Sequence, residues 1–310
     1  MLSVSFDYSD LEPLKLHEEE PQLCRILYDE RYKKIMGLLL ALLQKQEYSE
    51  RALYLTEEAL ELIASHYSIW CYRFNIVKNI GRDLNEELDW GEQIALENEK
   101  NYQIWNYRQL LVNEILKNGK DFDPHREFPL MEAMFEEDPK NHHVWSYRKW
   151  LVERFGLHSD PRENAFVEKC LKEDVRNNSA WTHRFYLKFG LGDITEEKVQ
   201  EEIQYGSDMI EVSPQNEAAW NYLRAVLKCA NLNLQTIEPL CLRYLDSPDK
   251  IDSTTTPKIS SVHALEFMAR IHAERGETER ARALFGALAF GYDPIRMNYW
   301  TYEADRLQSI

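Results

Sequence analysis

Glycine is scarce in this sequence, with 11 among 310 residues against a typical share of about 7%. Few glycines mean few tight turns, which favours helices joined by short loops. The longest apolar run, Ile35 to Leu43, has nine residues, far fewer than the roughly 20 that a helix needs to span a bilayer. With 44% hydrophobic and 29% charged residues, the composition is nevertheless that of a globular chain.

Paired cysteines and a targeting signal are also missing. The five cysteines are odd in number, widely spread and contain no C-x-x-C motif: Cys24, Cys71, Cys170, Cys229 and Cys241. This pattern argues against a disulfide framework or a zinc knuckle and for a reducing compartment. The N-terminal stretch MLSVSFDYSDLEPLKLHEEE lacks the basic and apolar regions of a signal peptide. We therefore expect a cytoplasmic protein that does not span a membrane.

A basic surplus is absent as well, because the formal net charge is −16 and the isoelectric point is near 5.1. A nucleic-acid-binding surface needs a basic footprint, so no nucleic-acid partner is expected. Known catalytic motifs are missing too. Gly190-Leu191-Gly192 is an isolated G-x-G, and no phosphate-binding loop or nucleophile elbow occurs.

Tryptophan, in contrast, recurs at a regular spacing. Trp70, Trp105, Trp145, Trp181 and Trp220 stand 35, 40, 36 and 39 residues apart. A period in the high thirties predicts stacked helical hairpins, each of which buries its apolar face against the next. The tryptophans are then expected to be core wedges between hairpins.

Two further columns repeat with the tryptophans. Four residues before them stand His66, Asn101, Asn141, Asn177 and Asn216, and three residues after the first four stand Arg73, Arg108, Arg148 and Arg184. An asparagine there is expected to cap the helix that carries the tryptophan. Thirteen residues before the tryptophans stand Glu57, Glu92, Glu132, Glu168 and, in the fifth unit, Ser207. The fifth unit also has Leu223 in place of the arginine, so the sequence favours struts between these glutamates and arginines over an anion-binding ladder.

The flanks continue the pattern of paired helices. Opening helices are predicted over Leu23 to Leu43 and Ser49 to Ala64, with Ser49 as a cap. A polar loop is predicted over Asp246 to Ser261, and a closing pair over Ala264 to Arg275 and Glu277 to Phe290. Asp293-Pro294 is expected to open a last short helix with Trp300. As domains, we predict an acidic extended segment over residues 1–20 and one α-α solenoid over 21–310.

Lys100 stands just before the Asn101 cap in KNYQIWNYR, where the positive end of a helix dipole disfavours a cation. The same column holds Lys140 and Arg176. Two interpretations remain open on spacing alone. Nearby acids, among them Asp138 and Asp174, neutralise these cations, or the cation and the free helix N–H groups together bind a phosphate-like anion.

The spaced PKNxxxWxxR blocks, the lead-in SERALYLTEEALEL, the block EDVRNNSAWTHR and the closing YDPIRMNYW resemble the alpha-subunit family of protein farnesyltransferase and type I geranylgeranyltransferase. The resemblance runs from about Leu23 to the C-terminus, except around residues 190–201 and 245–261. It implies an all-α fold, a right-handed superhelix or crescent of paired antiparallel helices. It also implies a β subunit as partner.

The resemblance further implies the site residues. Lys100 would contact the isoprenoid diphosphate, with Tyr102 and Tyr67 lining the same mouth. Asn141 and His143 would come from the next hairpin, and Gln103 would hold the carboxylate of the peptide substrate. We take Lys100, Tyr102 and His143 as the catalytic residues. The family often has tyrosine where this chain has His142, so no role is assigned there.

The implied reaction transfers a farnesyl group, or a geranylgeranyl group with another β chain, to the cysteine of proteins that end in Cys-a-a-X. Magnesium is expected on the diphosphate and zinc on the β subunit. No metal ligand is expected in this chain, whose histidines and cysteines show no pair at metal-binding spacing.

Two alternatives are weighed. An alpha subunit of Rab geranylgeranyltransferase is disfavoured because Tyr48 to Leu62 and the KNYQ sequence suit the farnesyl type better. A tetratricopeptide-type scaffold is disfavoured because the period exceeds the roughly 34 residues of that repeat.

Overall fold

The computed structural model describes residues 6–15, 26–252 and 254–307. Within these ranges it contains fifteen α-helices and no β-strand, apart from an isolated antiparallel bridge between Leu245 and Ile259. The predicted all-α class of paired helices is confirmed. No helix of the described ranges is long and apolar enough to cross a bilayer. The predicted domain boundary after residue 20 lies outside the described residues and stays a prediction.

The chain forms two compact units, Met1–Phe155 and Gly156–Ile310. In the first unit the helices are α1 (Glu30–Gln44), α2 (Glu50–Leu62), α3 (Tyr67–Ile80), α4 (Leu84–Glu97), α5 (Tyr102–Lys117), α6 (Phe128–Glu137) and α7 (His142–Phe155). In the second unit they are α8 (Pro161–Glu173), α9 (Asn178–Phe189), α10 (Glu196–Val212), α11 (Glu217–Cys229), α12 (Glu238–Leu242), α13 (Val262–Glu274), α14 (Thr278–Ala287) and α15 (Met297–Arg306).

The ends of the flanking helices follow local capping. Helix α1 begins at Glu30 rather than at Leu23, because the Asp29 side chain accepts a hydrogen bond from the Tyr32 N–H at 2.7 Å. Residues 23–25 of that prediction lie outside the described residues. The predicted Ser49 cap of α2 is confirmed by its bond from the Ala52 N–H.

The N-terminal segment 6–15 lies against the first two helices without forming a helix itself. The Arg51 guanidinium of α2 contacts the Asp10 carboxylate at 2.6 Å, and this hydrogen bond lowers the pKa of Asp10 to about 2. The Leu14 N–H bonds to the Gly37 carbonyl of α1 at 3.0 Å. A Cβ at Gly37 would lie 2.8 Å from the Leu14 oxygen, so the close approach requires glycine there.

The predicted asparagine caps are confirmed, and Asn101, Asn141 and Asn216 each have a second role. The Asn101 Oδ1 accepts the Gln103 N–H at 2.9 Å, while its Nδ2 donates to the Ala64 carbonyl of the preceding repeat. The Trp70 indole N–H donates to the same carbonyl at 2.7 Å. One asparagine therefore caps its own helix and fixes the loop of its neighbour. His66 at the equivalent position of α3 forms no side-chain cap.

The tryptophans of the repeats are buried, as predicted. Trp70 packs against Tyr107 with ring centroids 4.9 Å apart, and Trp105 packs against Tyr147 at 5.1 Å. In the second unit Trp181 packs against Tyr222 of the next repeat, with ring centroids 4.8 Å apart. Trp70, Trp105 and Trp181 are thus wedges whose large apolar area is removed from water by the following hairpin.

The predicted arginine struts exist, but most of the predicted partners are wrong. Arg73 pairs with Glu87 at 2.5 Å rather than with Glu57, and Arg108 pairs with Glu127 at 2.7 Å rather than with Glu92. Only Arg184 contacts its predicted partner Glu168, and it also pairs with Glu202. Arg148 is fully buried and lies over the Phe128 ring, whereas Glu132 is exposed. The physical reason is that the glutamates thirteen residues before the tryptophans lie on a helix face that is partly open to solvent.

A second glutamate column identifies the true partners. Glu87, Glu127, Glu163 and Glu202 each stand eighteen residues before a tryptophan, and all four are buried. At Glu87, Glu127 and Glu202 the tyrosine two residues after the tryptophan donates to the carboxylate, as Tyr147 does to Glu127 at 2.9 Å. At Glu163 that position is His183, whose Nε2 lies 3.1 Å from the carboxylate. Each of Glu87, Glu127 and Glu202, flanked by an arginine and a tyrosine, is hereafter called a node.

Candidate active site

The predicted site residues stand at the N-terminal ends of helices α3, α5 and α7 of the first unit. Asn101 and Asn141 cap α5 and α7, and the Asn141 Nδ2 donates to the Glu99 carbonyl at 2.9 Å. This bond ties the loop before α5 to the start of α7. Residues around Lys100 and around His143, some forty positions apart in sequence, thereby come together.

The Lys100 side chain is largely exposed, with 67% of its surface accessible. Its ammonium group forms an ion pair with the Asp138 carboxylate, which follows α6 in the next repeat. The hydrogen bond from Lys100 and that from the Lys140 backbone N–H lower the pKa of Asp138. The sequence left open whether an acid neutralises Lys100 or Lys100 binds an anion. In the isolated chain Asp138 neutralises it. The exposure of Lys100 leaves the anion-binding role available.

Two aromatic rings lie beside this cation. Tyr102 is 58% exposed, and its ring centroid lies 6.0 Å from that of His143. Burial, together with the neighbouring charges of His142 and Lys100, lowers the pKa of His143. His143 is therefore neutral at neutral pH, and a neutral imidazole donates one hydrogen bond.

The remaining predicted residues differ in accessibility. Tyr67 is 58% exposed at the first position of α3, and a hydrogen bond with Cys71 raises its pKa. Asn141 and Gln103 are buried, at 2% and 3% exposure. The Asn141 side chain makes two backbone hydrogen bonds: Oδ1 accepts the His143 N–H, and Nδ2 donates to the Glu99 carbonyl. The structure thus brings Lys100, Tyr102 and His143 close together, and Asn141 fixes the start of α7 beside them.

The arrangement suits an anion with several oxygens. An exposed ammonium group, a phenol and an imidazole N–H stand at the positive ends of two helix dipoles. Among the described residues no cluster of three or more His, Cys, Asp or Glu side chains is placed to hold a metal ion. A cavity of about 480 Å³ exists in the second unit, lined by Arg224 and Arg270 among others. It contains none of the predicted site residues.

Comparison with known proteins decides the family. A family model described as the protein prenyltransferase alpha subunit repeat matches residues 49–80, 84–115, 124–155, 160–187 and 199–230. The chain belongs to the protein prenyltransferase alpha-subunit family. Each matched segment holds one glutamate helix and one tryptophan helix, apart from the first, which has Ala52 at the glutamate position. The family predicted from the sequence is confirmed.

Comparison with individual relatives distinguishes the type-1 from the type-2 alpha subunits. The Candida albicans protein farnesyltransferase/geranylgeranyltransferase type-1 subunit alpha is 49% identical over 100% of both chains. A solved structure described as Candida albicans protein geranylgeranyltransferase-I complexed with GGPP matches with a TM-score of 0.91, at 49% identity, over 97% of this chain and 99% of that chain. By contrast, the Candida albicans geranylgeranyl transferase type-2 subunit alpha is 29% identical over 36% of this chain and 34% of its own length.

Proposed function

We propose that this chain is the α subunit of a heterodimeric protein prenyltransferase of the farnesyl/geranylgeranyl type-1 class, active only with a β subunit. It would act in the cytoplasm on proteins that end in Cys-a-a-X. The main support is the full-length identity to a type-1 α subunit. The exposed Lys100 beside Tyr102 and His143 adds a site of the right chemistry.

The proposed reaction is a substitution at C1 of the isoprenoid diphosphate. The cysteine sulfur, having lost its proton, forms a bond to C1, and the bond from C1 to the diphosphate oxygen breaks. The electron pair leaves with pyrophosphate, on which negative charge accumulates. Lys100 stabilises this charge more in the transition state than in the ground state, which is the condition for faster turnover.

The neighbouring residues orient the leaving group. Tyr102 and His143 donate hydrogen bonds to diphosphate oxygens, and Tyr67 lines the mouth of the site. Asn141 acts by fixing the start of α7, since its side chain already has two backbone partners. Gln103 is assigned to the carboxylate of the peptide substrate.

Metal ions belong to the substrate and to the partner in this scheme. Magnesium would accompany the diphosphate, whose oxygens suit a hard cation. A zinc ion on the β subunit would lower the pKa of the substrate thiol. The residues of this chain supply charge and hydrogen bonds and orient the diphosphate.

The type-2 α subunit remains the second candidate, with the weaker partial match as its only support. A scaffold without catalytic function is the third, because a helical repeat can serve binding alone. Both differ from the main proposal in what a purified complex does with a Cys-a-a-X peptide.

The test is co-expression with a candidate β subunit. We expect a stable one-to-one complex that transfers a farnesyl or geranylgeranyl group to a peptide ending in Cys-a-a-X, and none to the same peptide with serine for cysteine. A stable complex that modifies neither peptide, with either diphosphate, would contradict the proposal. Failure to form any complex would favour the scaffold.

A further inference from the structure

Lys100 occupies an unfavourable position that Asp138 compensates. It precedes the cap of α5, so the positive end of the helix dipole repels its charge. The Asp138 carboxylate of the next repeat pairs with its ammonium group. With 30% of its side chain exposed against 67% for Lys100, Asp138 is the more enclosed member of the pair.

Asp138 is held in place by its own loop. Its N–H bonds to the Met134 carbonyl at 3.0 Å, and its carbonyl accepts the Asn141 N–H at 3.0 Å. One carboxylate oxygen, Oδ1, accepts the Lys140 N–H at 3.0 Å, and the other faces Lys100. The carboxylate is therefore a fixed point to which the longer, flexible lysine side chain is attached.

We propose that Asp138 is a positioning residue that holds the Lys100 ammonium group at the mouth of the site and limits its engagement with the diphosphate before reaction. This inference rests on the proposed function. Asp138 competes with bound diphosphate for the Lys100 ammonium group. When the bond to C1 breaks, the growing charge on pyrophosphate outcompetes the single charge of Asp138, and Lys100 transfers to it. Lys100 then stabilises the transition state more than the ground state.

The test compares Asp138→Asn with the wild-type α–β complex. Asparagine keeps the oxygen that accepts the Lys140 N–H but removes the charge. We expect prenyl diphosphate to bind roughly fivefold more tightly, the size of one charge–charge interaction at about 4 Å in water. We expect single-turnover transfer to slow by a similar factor, and pyrophosphate to inhibit more strongly. Binding and rate thus change in opposite directions, which a merely structural defect does not produce.

A matched control exists one repeat further on. The Asp174 Oδ1 accepts the Arg176 N–H at 2.9 Å, in the same loop position as Asp138 and Lys140. Asp174→Asn makes the same change of charge, and we expect wild-type binding and turnover from it. If Asp138→Asn does not assemble, Asp138→Ser replaces it, because this chain itself has Ser213 at that loop position.

A double-mutant cycle completes the test. In a Lys100→Ala background, Asp138→Asn should no longer change turnover. Unchanged binding and turnover in Asp138→Asn, with an active wild-type complex, would overturn this inference alone, as would binding that weakens. An equal effect of Asp138→Asn with and without Lys100 would overturn it too. If the wild-type complex transfers no prenyl group, the proposed function and this inference fall together.

Discussion

The Tyr107 phenol donates a hydrogen bond to Glu87 Oε1 at 2.8 Å, and the Arg73 Nε donates to the same oxygen at 2.5 Å. The three residues lie on α5, α4 and α3, so one buried carboxylate joins three successive helices. Burial and the nearby Glu87 charge raise the pKa of Tyr107 well above its usual range, which keeps the phenol a donor. The node is repeated at Glu127 and Glu202.

Loss of the arginine from a node should destabilise the chain strongly. Arg108→Met leaves Glu127 buried and short of its charge partner, which costs about 3 to 5 kcal/mol for pairs of this kind. Although burial opposes the charge of Arg108, Glu127 outweighs it and raises the pKa of Arg108. The change is measured as the shift of the urea unfolding curve of the α–β complex.

The control for this prediction is an exposed pair. Arg243 and Glu211 are 59% and 61% exposed, so Arg243→Met should change stability by less than about 1 kcal/mol. The double variant of Arg108→Met with Glu127→Gln should lose less than the sum of the two single variants, because no charge is stranded. Equal losses for Arg108→Met and Arg243→Met would disprove the node as a stabilising element.

The tyrosine of a node can be tested by removing a single oxygen. Tyr107→Phe deletes the bond to Glu87, a loss of about 1.5 to 3 kcal/mol for a hydrogen bond to a charged group. Tyr102→Phe, on the same helix but exposed, should leave the melting temperature unchanged. A Tyr107→Phe protein that melts with the wild type would show that the phenol contributes nothing.

His143 should titrate below the ordinary histidine value of about 6.5. The folded chain disfavours its protonation through burial and through the charges of His142 and Lys100. Since the unfolded chain takes up that proton more readily, His143 lowers stability as the pH falls through about 6.5. Lys100→Ala removes one of the repelling charges and should raise the pKa of His143. Histidine NMR titration without diphosphate measures both values, and a midpoint that does not rise in the variant would contradict this electrostatic account.

The sequence predicted the repeat well because the tryptophan and asparagine columns have local causes. A cap such as Asn101 is defined within one turn of its own helix, and the wedge of Trp105 follows from helical spacing. These features need no knowledge of the neighbouring repeat.

The struts were harder to predict because their partners lie on another helix. Glu87 and Glu92 both stand on α4 and both recur with the tryptophan period. Five residues apart, they face different directions on a helix with about 3.6 residues per turn. Only the packing shows that Glu87 is buried beside Arg73. The first helix was likewise placed too early, since Asp29 was not recognised as its cap.

The candidate site was predicted from the family resemblance rather than from spacing. The sequence named Asp138 as one of several acids near the cations, and the structure selects it as the partner of Lys100. The burial of Gln103 and Asn141 could not be read from their polar side chains. Their assigned contacts with substrate remain predictions.

The central claim is that Lys100 stabilises the charge on departing pyrophosphate. The most direct measurement is the single-turnover rate of prenyl transfer by the Lys100→Ala α–β complex. Loss of one preorganised charge partner predicts a rate roughly 10² to 10³ times lower, with the heterodimer still assembled on gel filtration. A rate equal to that of the wild type, in an intact complex, would contradict the account.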